Sequence, residues 1–310
     1  MKRIGVISGG SGSSKFAIAF SDYVKKNNDF ELGYIVNVAD NYWYHGLYVC
    51  PDIDIITYAL SGKLDMSKGW GINSDSFRGK EMLSNLSSAA EEWFSLGDFD
   101  SALCLRRTEL LQKGWSLSSI TNFLRRMLGV KEAVIPASDE PIATFVRTHT
   151  GLLHLQQFWL KLKAQPSVSG VEYESLDNAL VPSAAASYLS ESVIICPANP
   201  ITSILPTIRI KQIRRKLARC RVVAISPFVG NRPFSGPAGK LMSSLGIESS
   251  SFGVAKLYSK FLKILFVDSA EEPEIIRRIK EQGIECIKTN IRIDSEFRNE
   301  SLSRQIMGLL

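Results

Sequence analysis

Two clusters of residues in this 310-residue sequence have types and spacing suited to chemistry. The first is Ser8-Gly9-Gly10-Ser11-Gly12-Ser13-Ser14-Lys15, which follows the apolar run Ile4-Gly5-Val6-Ile7. Residues without bulk let backbone N–H groups come close to an anion, and a helix starting here adds the partial positive charge of its N-terminus. That chemistry suits a phosphate, with Lys15 as an added point charge. Neither common template fits. A Walker loop has Gly before its Lys, where this chain has Ser14. The dinucleotide fingerprint runs Gly10, Gly12 and then Lys15 where a third Gly belongs. An ordinary strand-to-helix turn is the competing reading.

The second cluster is acidic: Asp40, then Asp52 and Asp54 behind Pro51. Mg²⁺ on phosphates takes one or two protein carboxylates and keeps waters. Asp40 and Asp54 are the expected metal residues, and Asp52 is expected to cap a helix starting at Ile53. His45 reads as structural, since no second His stands at ligand spacing. His149 and His154 have no evident partner.

The elements that must position these residues alternate. Strands are expected at Ile4–Ser8, Leu32–Val38, Ala133–Pro136, Val193–Cys196, Val222–Ser226, Leu265–Asp268 and Glu285–Lys288. Helical patterns cover Lys15–Lys26, Asp177–Leu189, Ile208–Arg219 and Pro273–Gln282. Strands joined by helices imply parallel pairing through right-handed crossovers. The expected fold is therefore α/β: a Rossmann-like, doubly wound, mostly parallel sheet. Residues 61–130 read as helices without a strand, a helical insertion dividing the core into 1–60 and 131–310. Residues 142–175 alternate apolar and polar, as antiparallel strands added at an edge. Ligands of such sheets bind at the carboxyl ends of the strands. Four strand ends there carry polar turn residues: the glycine loop, Asn37–Asn41, Pro197–Pro200 and Pro227–Asn231.

Composition is that of a globular protein, with 45% hydrophobic and 22% charged residues. Nothing apolar is long enough to span a bilayer, and the first apolar stretch reaches Gly9 too early for a signal peptide. Five scattered Cys without a C-x-x-C pair suggest reduced thiols in a cytoplasmic protein. The net charge of +6 suits a small anionic substrate. The densest basic run (Arg209, Lys211, Arg214, Arg215, Lys216, Arg219, Arg221) alternates with Ile210, Ile213 and Leu217 at helical spacing. Its charges should lie on a solvated face and not on a nucleic acid.

The stretches NVADNYWYHGLYVCPDID, WFSLGDFDSA, RRTELLQKGWSLSSIT, PASDEPIATFV, PANPITSI and SPFVGNRPFSGPAGKLM, in this order, resemble the 2-phospho-L-lactate transferases, the CofD family. The resemblance implies transfer of a phospholactyl-type group from a guanosine diphosphate conjugate to the ribityl hydroxyl of the deazaflavin Fo. GMP would be released, with Mg²⁺ as cofactor, in the synthesis of coenzyme F(420). It implies that Gly9, Gly10, Ser11, Gly12, Lys15, Asn199, Pro200, Ser203, Ser226, Gly230, Asn231 and Gly236 hold the donor. Asp40 and Asp54 would be catalytic and metal-binding. Trp43, Ser95, Gly97, Asp98 and Asp54 would meet the acceptor, under the insertion. A homodimer is implied too. Three positions depart from the family pattern: Asn41 replaces an acid, Phe99 an arginine and Ala198 a serine. The alternatives are a non-catalytic nucleotide-sugar-binding regulator of the related YvcK-like branch, and a nicotinamide-dependent oxidoreductase. The second lacks the third glycine and has only Asp40 as a ribose-binding acid.

Overall fold

The computed structural model describes residues 2–27, 30–86, 93–230, 232–233, 237–293 and 299–310. Seven strands build the central sheet: β1 (Lys2–Ser8), β2 (Phe30–Val36), β3 (Ala133–Pro136), β4 (Ser192–Ile195), β5 (Arg221–Ile225), β6 (Leu262–Asp268) and β7 (Glu285–Thr289). Their order is β7-β6-β5-β4-β1-β2-β3. Every neighbouring pair is parallel. Helices cover both faces of such a sheet, so its inner strands are apolar runs and not alternating ones. β4 is buried at every residue, and β5 at all but Arg221. All seven strands stand where the sequence places them, to within a few residues at each end.

The chain winds outward from β1 through β2 to β3, then returns to lay β4 on the other side of β1. That reversal opens a crevice beyond the carboxyl ends of β1 and β4. Helix α1 (Ser11–Asn27) leaves β1 through the glycine loop, and α2 (Pro51–Leu60) begins above β2. Residues 61–130 hold α3 (Arg78–Ser84), α4 (Asp98–Gln112) and α5 (Leu117–Met127), with no strand among those of them that are described. α4 docks on the hairpin Tyr42–Tyr44/Leu47–Val49, where Tyr48 N donates to Thr108 Oγ1 at 2.8 Å. The hairpin turns on His45 and Gly46, both with positive φ.

The antiparallel strands expected in 142–175 are Ala143–Thr148, Gly151–His154 and Val168–Glu174. They form a three-stranded sheet of their own. It is tied to the loop after β2 by the Thr144 N to Ala39 O bond, 2.9 Å. Two expected helices are interrupted. Asp177–Leu189 becomes a short turn at Leu176–Asn178 and a helix at Ser183–Tyr188, because Pro182 keeps the residue before it out of helical geometry. Ile208–Arg219 breaks at Ile210, whose ψ is 122°. The basic side chains of that segment are nonetheless on the outside, over a buried Ile210, Ile213 and Leu217.

One notch in the sheet is built from two glycines in register, Gly5 on β1 and Gly33 on β2. A Cβ at Gly33 would lie 2.4 Å from the Tyr188 ring, and one at Gly5 2.7 Å from the Tyr188 carbonyl oxygen. The Tyr188 hydroxyl donates to Glu31 Oε1 at 2.6 Å, while Arg3 lies over the ring. No helix among the described residues is long and apolar enough to cross a membrane.

Candidate active site

A cleft of about 700 Å³ opens where the sheet reverses direction. Its floor begins with the glycine loop. A Cβ on Gly9 would meet Ser203 Cβ at 2.4 Å, and one on Gly10 would meet Asp52 Oδ1 at 2.4 Å. The absence of side chains there is thus a packing requirement, which lets α1 start against α2 and the 200–204 turn. Gly10 O accepts from Ser13 N (2.9 Å) and Ser14 N (3.0 Å), closing the first turn of α1. Asn199 stands beside the loop, its Oδ1 accepting from Ile201 N at 3.0 Å. That bond starts a π-helical turn at Pro200–Ile204, a local form that is rare and frequent at functional sites.

Two acidic networks lie above this floor. In the first, Asn37 Nδ2 donates to Asp40 Oδ1 and Asp52 Oδ2, both at 3.0 Å, and to Thr202 O at 3.3 Å. Both carboxyls are buried. Burial, then the adjacent Asp52 charge, push Asp40 well above the usual carboxylate range. Burial pushes Asp52 up to about 6, against hydrogen bonds from Asn37 and the Gly10 backbone. In the second, the Arg107 guanidinium is fully buried and grips both Asp54 oxygens, through Nη1 to Oδ2 at 3.0 Å and through Nη2 to Oδ1. Arg107 Nη1 also donates to Tyr48 O at 3.1 Å. Burial raises Asp54, and the Arg107 charge opposes it. Beside them Asp100 Oδ1 accepts from Tyr58 OH at 2.6 Å. Burial and the Asp54 charge push Asp100 up to about 7.

The structure therefore regroups the acids. Asp40 is joined to Asp52, not to Asp54, and Asp54 is answered by an arginine. Asp52 is also not a helix cap: α2 starts at Pro51 with Cys50 before it, and the Asp52 side chain turns to Asn37. Among the described residues, two groups could receive a cation. Ligand atoms of Asp54, Asp100 and Cys104 lie within 4.8 Å of one another. Both Asp54 oxygens already serve Arg107, however, and burial holds the Cys104 thiol protonated, so this set suits a hard cation poorly. Asp40 and Asp52 offer oxygen donors that share a single side-chain amide, beside the loop; buried charges of this kind are normally paired or bound to a metal.

Asp100 gives a pH prediction. Its carboxyl is raised in the folded state, so its contribution to stability is full below about pH 4 and lost as pH rises through about 7. Asp100→Asn keeps an oxygen for Tyr58 and removes that loss. Thermal melts from pH 4 to 8 are expected to show a flatter profile for the variant, with a higher melting temperature than wild type at pH 8. An unchanged profile would place the proton elsewhere.

The walls of the cleft are aromatic. Trp70, Trp93 and Phe94 come from the stretch between α2 and α4, and Trp159 and Leu160 from a second π-helical turn at Gln157–Lys161. That turn is followed by two left-handed non-glycine residues, Lys163 (φ 49°) and Ala164 (φ 52°). Such geometry costs roughly 1–2 kcal/mol per residue. His154 packs between Tyr42 and Phe145, and burial lowers it to about 4, so it is neutral.

Of the residues expected at the site, Gly10, Ser11, Gly12, Asp40, Asp54, Ser95, Asn199 and Ser203 line this cleft. Gly9 and Pro200 lie just beneath it, packed in the loop and the 200–204 turn. Lys15 is on α1, outside the lining. Ser226 Oγ is buried against Ser251 Oγ at 2.7 Å, and Gly230 is a positive-φ turn beyond it. Asn231 and Gly236 lie outside the described residues. Trp43 is 55% exposed on the hairpin, against Tyr48, and stands away from the cleft. Gly97 precedes α4, whose first amides are capped by Asp75. The Asp98 carboxylate caps α3, accepting from Gly79 N at 2.9 Å and Arg78 N at 3.2 Å. Asn41 Nδ2 donates to Tyr48 OH at 3.3 Å and is not part of the lining. Sequence reasoning missed Asp52, Arg107, Trp159 and Lys163. Only Arg107 left a signal: Asp100, Cys104, Arg107 and Thr108 recur on one face of α4, and all four are buried.

Comparison with known proteins gives a concordant result. The family model described as 2-phospho-L-lactate transferase CofD matches residues 4–307. A protein of Methanosarcina acetivorans named 2-phospho-L-lactate transferase is 35% identical over 306 residues, 98% of each chain. One of Methanopyrus kandleri with the same name is 35% identical, covering 99% of this chain and 97% of the relative. A crystal structure of a UPF0052-family protein from Bacillus halodurans shares the fold, with a TM-score of 0.65 at 14% identity and 99% of both chains covered. A phosphate-suited loop and buried carboxylates in one cleft thus sit in a chain that belongs, over nearly its whole length, to the CofD family of 2-phospho-L-lactate transferases.

Proposed function

We propose that this chain transfers a phospholactyl-type group from a guanosine diphosphate conjugate to the terminal ribityl hydroxyl of the deazaflavin Fo. The donor would be lactyl-2-diphospho-5'-guanosine or its enolpyruvyl analogue. The observation that carries the reading is a single cleft with a glycine loop and a buried carboxylate pair on its floor and tryptophans on its walls. The loop suits a diphosphate, and the indoles suit a flat deazaflavin.

In this reading Gly10, Ser11 and Gly12 seat the donor, and Asp40 and Asp52 hold Mg²⁺. When bound, the metal neutralises diphosphate charge, the main demand of phosphoryl-type transfer. Asp54 is fixed by Arg107 and orients the acceptor hydroxyl. That oxygen gives up its proton to solvent and forms a bond to the phosphorus distal to guanosine as the bond to the GMP oxygen breaks, so that GMP leaves with the electron pair. The insertion, residues 61–130, covers the acceptor through Trp70 and Trp93, and Trp43 has no part in it. The active protein works as a homodimer in the cytoplasm. The nucleotide-sugar-binding regulator is not favoured, since the family that matches is the transferase family.

Mass spectrometry of products, after incubation with Fo, Mg²⁺ and each donor conjugate in turn, tests the proposal. The expected result is a phosphodiester of Fo together with GMP. Release of GMP without modified Fo, or no product with any donor, overturns it. Because Lys15 lies outside the lining, Lys15→Ala should leave GDP affinity within about twofold by calorimetry, well short of the loss expected for a direct charge-assisted bond. A tenfold loss would return Lys15 to the donor site.

A further inference from the structure

We propose that Lys163 is a diphosphate-binding residue whose ammonium closes over phosphates seated on the glycine loop. The idea deepens the proposed donor site, and it rests on that reading only for the nucleotide attached to the diphosphate.

The charge inventory of the cleft motivates it. Asp40 and Asp52 already place two buried acids next to the loop. A diphosphate brought there adds negative charge that one divalent ion does not balance. Lys15, the cation nearest the loop in sequence, does not line the cleft. Among the described residues that do line it, the cationic side chains are Lys68 and Lys163. Lys68 is engaged: its ammonium is 3.0 Å from Asp65 Oδ2 and lies over the rings of Trp70 and Phe77. Lys163 has neither a hydrogen bond nor an ion pair from its side chain among the described residues. It is the uncommitted positive charge of the site.

Its position is built. Ala164 N donates to Phe158 O and Gln165 N to Leu162 O, both at 2.9 Å. Lys240 Nζ donates to Ala164 O at 2.6 Å and to Gln165 O at 3.1 Å. These bonds hold two successive non-glycine residues at positive φ, a strain that persists only where its surroundings over-determine it and that clusters at ligand clamps. The clamp also ties the backbone after Lys163 to one side of the cleft. Lys240 belongs to the helix Ala238–Ser244, which packs on the Pro200–Ile204 turn, and Ser203 of that turn abuts Gly9. Lys163 is thereby anchored to the wall that adjoins the glycine loop. A flexible stem with a point charge is well suited to phosphate oxygens.

Calorimetry with Mg²⁺ present, titrating inorganic pyrophosphate, GDP and UDP into wild type, Lys163→Gln, Lys163→Arg and Lys161→Gln, tests it. Lys161 is an exposed neighbour outside the cleft lining. Losing a charge-assisted phosphate contact should weaken pyrophosphate and GDP ~10- to 100-fold in Lys163→Gln. Lys163→Arg should recover binding to within about threefold, and Lys161→Gln should match wild type. Equal pyrophosphate affinity for wild type and Lys163→Gln overturns the proposal, as does an equal loss in Lys161→Gln. Loss of pyrophosphate binding with no preference for GDP over UDP keeps Lys163 and overturns the guanosine reading instead. Wild type that binds none of the three overturns both.

Discussion

Arg107→Met should destabilise the protein by about 3–5 kcal/mol, the usual cost of removing one partner from a buried ion pair and leaving the other charge in the interior. The side chains involved are 2% and 9% exposed, so solvent does little to soften the loss. Asp54→Asn should be costly for the mirror-image reason, since it strands the guanidinium, whose Nε already lacks a partner. The double replacement Arg107→Met with Asp54→Leu should recover much of the stability of either single variant while remaining inactive. Urea unfolding midpoints give the measurement. A single variant within 1 kcal/mol of wild type, where about 3 is expected, would mean that water or another group reaches the stranded charge.

The second large effect is on rate. Asp52→Asn should lower transfer by ~100- to 1,000-fold, the scale on which one preorganised charge-stabilising contact acts. It should do so without unfolding the protein. Asp52 is raised to about 6 from an ordinary value near 3.8, so its contribution to stability is full below about pH 4 and lost as pH rises through 6. At pH 7.5, without divalent ions, its charge is a net cost that also burdens Asp40. The variant should therefore melt at or above wild type in that buffer. It should also lose the stabilisation that Mg²⁺ gives wild type. Melting curves with and without Mg²⁺, beside a transfer assay, separate the two effects. Transfer within threefold of wild type would remove Asp52 from the site.

These two cases show what the sequence revealed and what it did not. The sheet was readable because strands buried on both faces are continuous apolar runs, as in Val222–Ile225 and Leu265–Val267. The place of the site followed from it, since polar turns at the carboxyl ends of β1, β2 and β4 must converge where the order reverses. The pairing of acids was not readable. Whether Asp40 meets Asp52 or Asp54 depends on α2 beginning at Pro51, two residues before the expected start, and on the reach of Asn37. Arg107 was hidden for another reason: an arginine on a helix is ordinarily solvated, and only a tertiary partner makes its burial tolerable. Trp159 and Lys163 fall in and after a π-helical turn, a form without a sequence period, inside the 142–175 stretch read as antiparallel strands.

The notch beneath Tyr188 constrains how this protein can change over time. Gly5 and Gly33 are empty so that one ring and its own carbonyl can lie against β1 and β2. A larger residue at Gly33 collides with the Tyr188 ring and one at Gly5 with the carbonyl of residue 188, whereas a smaller residue at 188 leaves a void facing Gly33 alone. No one of the three is free to drift alone. A lineage that fills position 33 must first shrink the tyrosine and survive the resulting cavity, while position 5, which meets main chain, stays closed whatever stands at 188. That order is fixed although neither Gly33 nor Tyr188 lines the cleft.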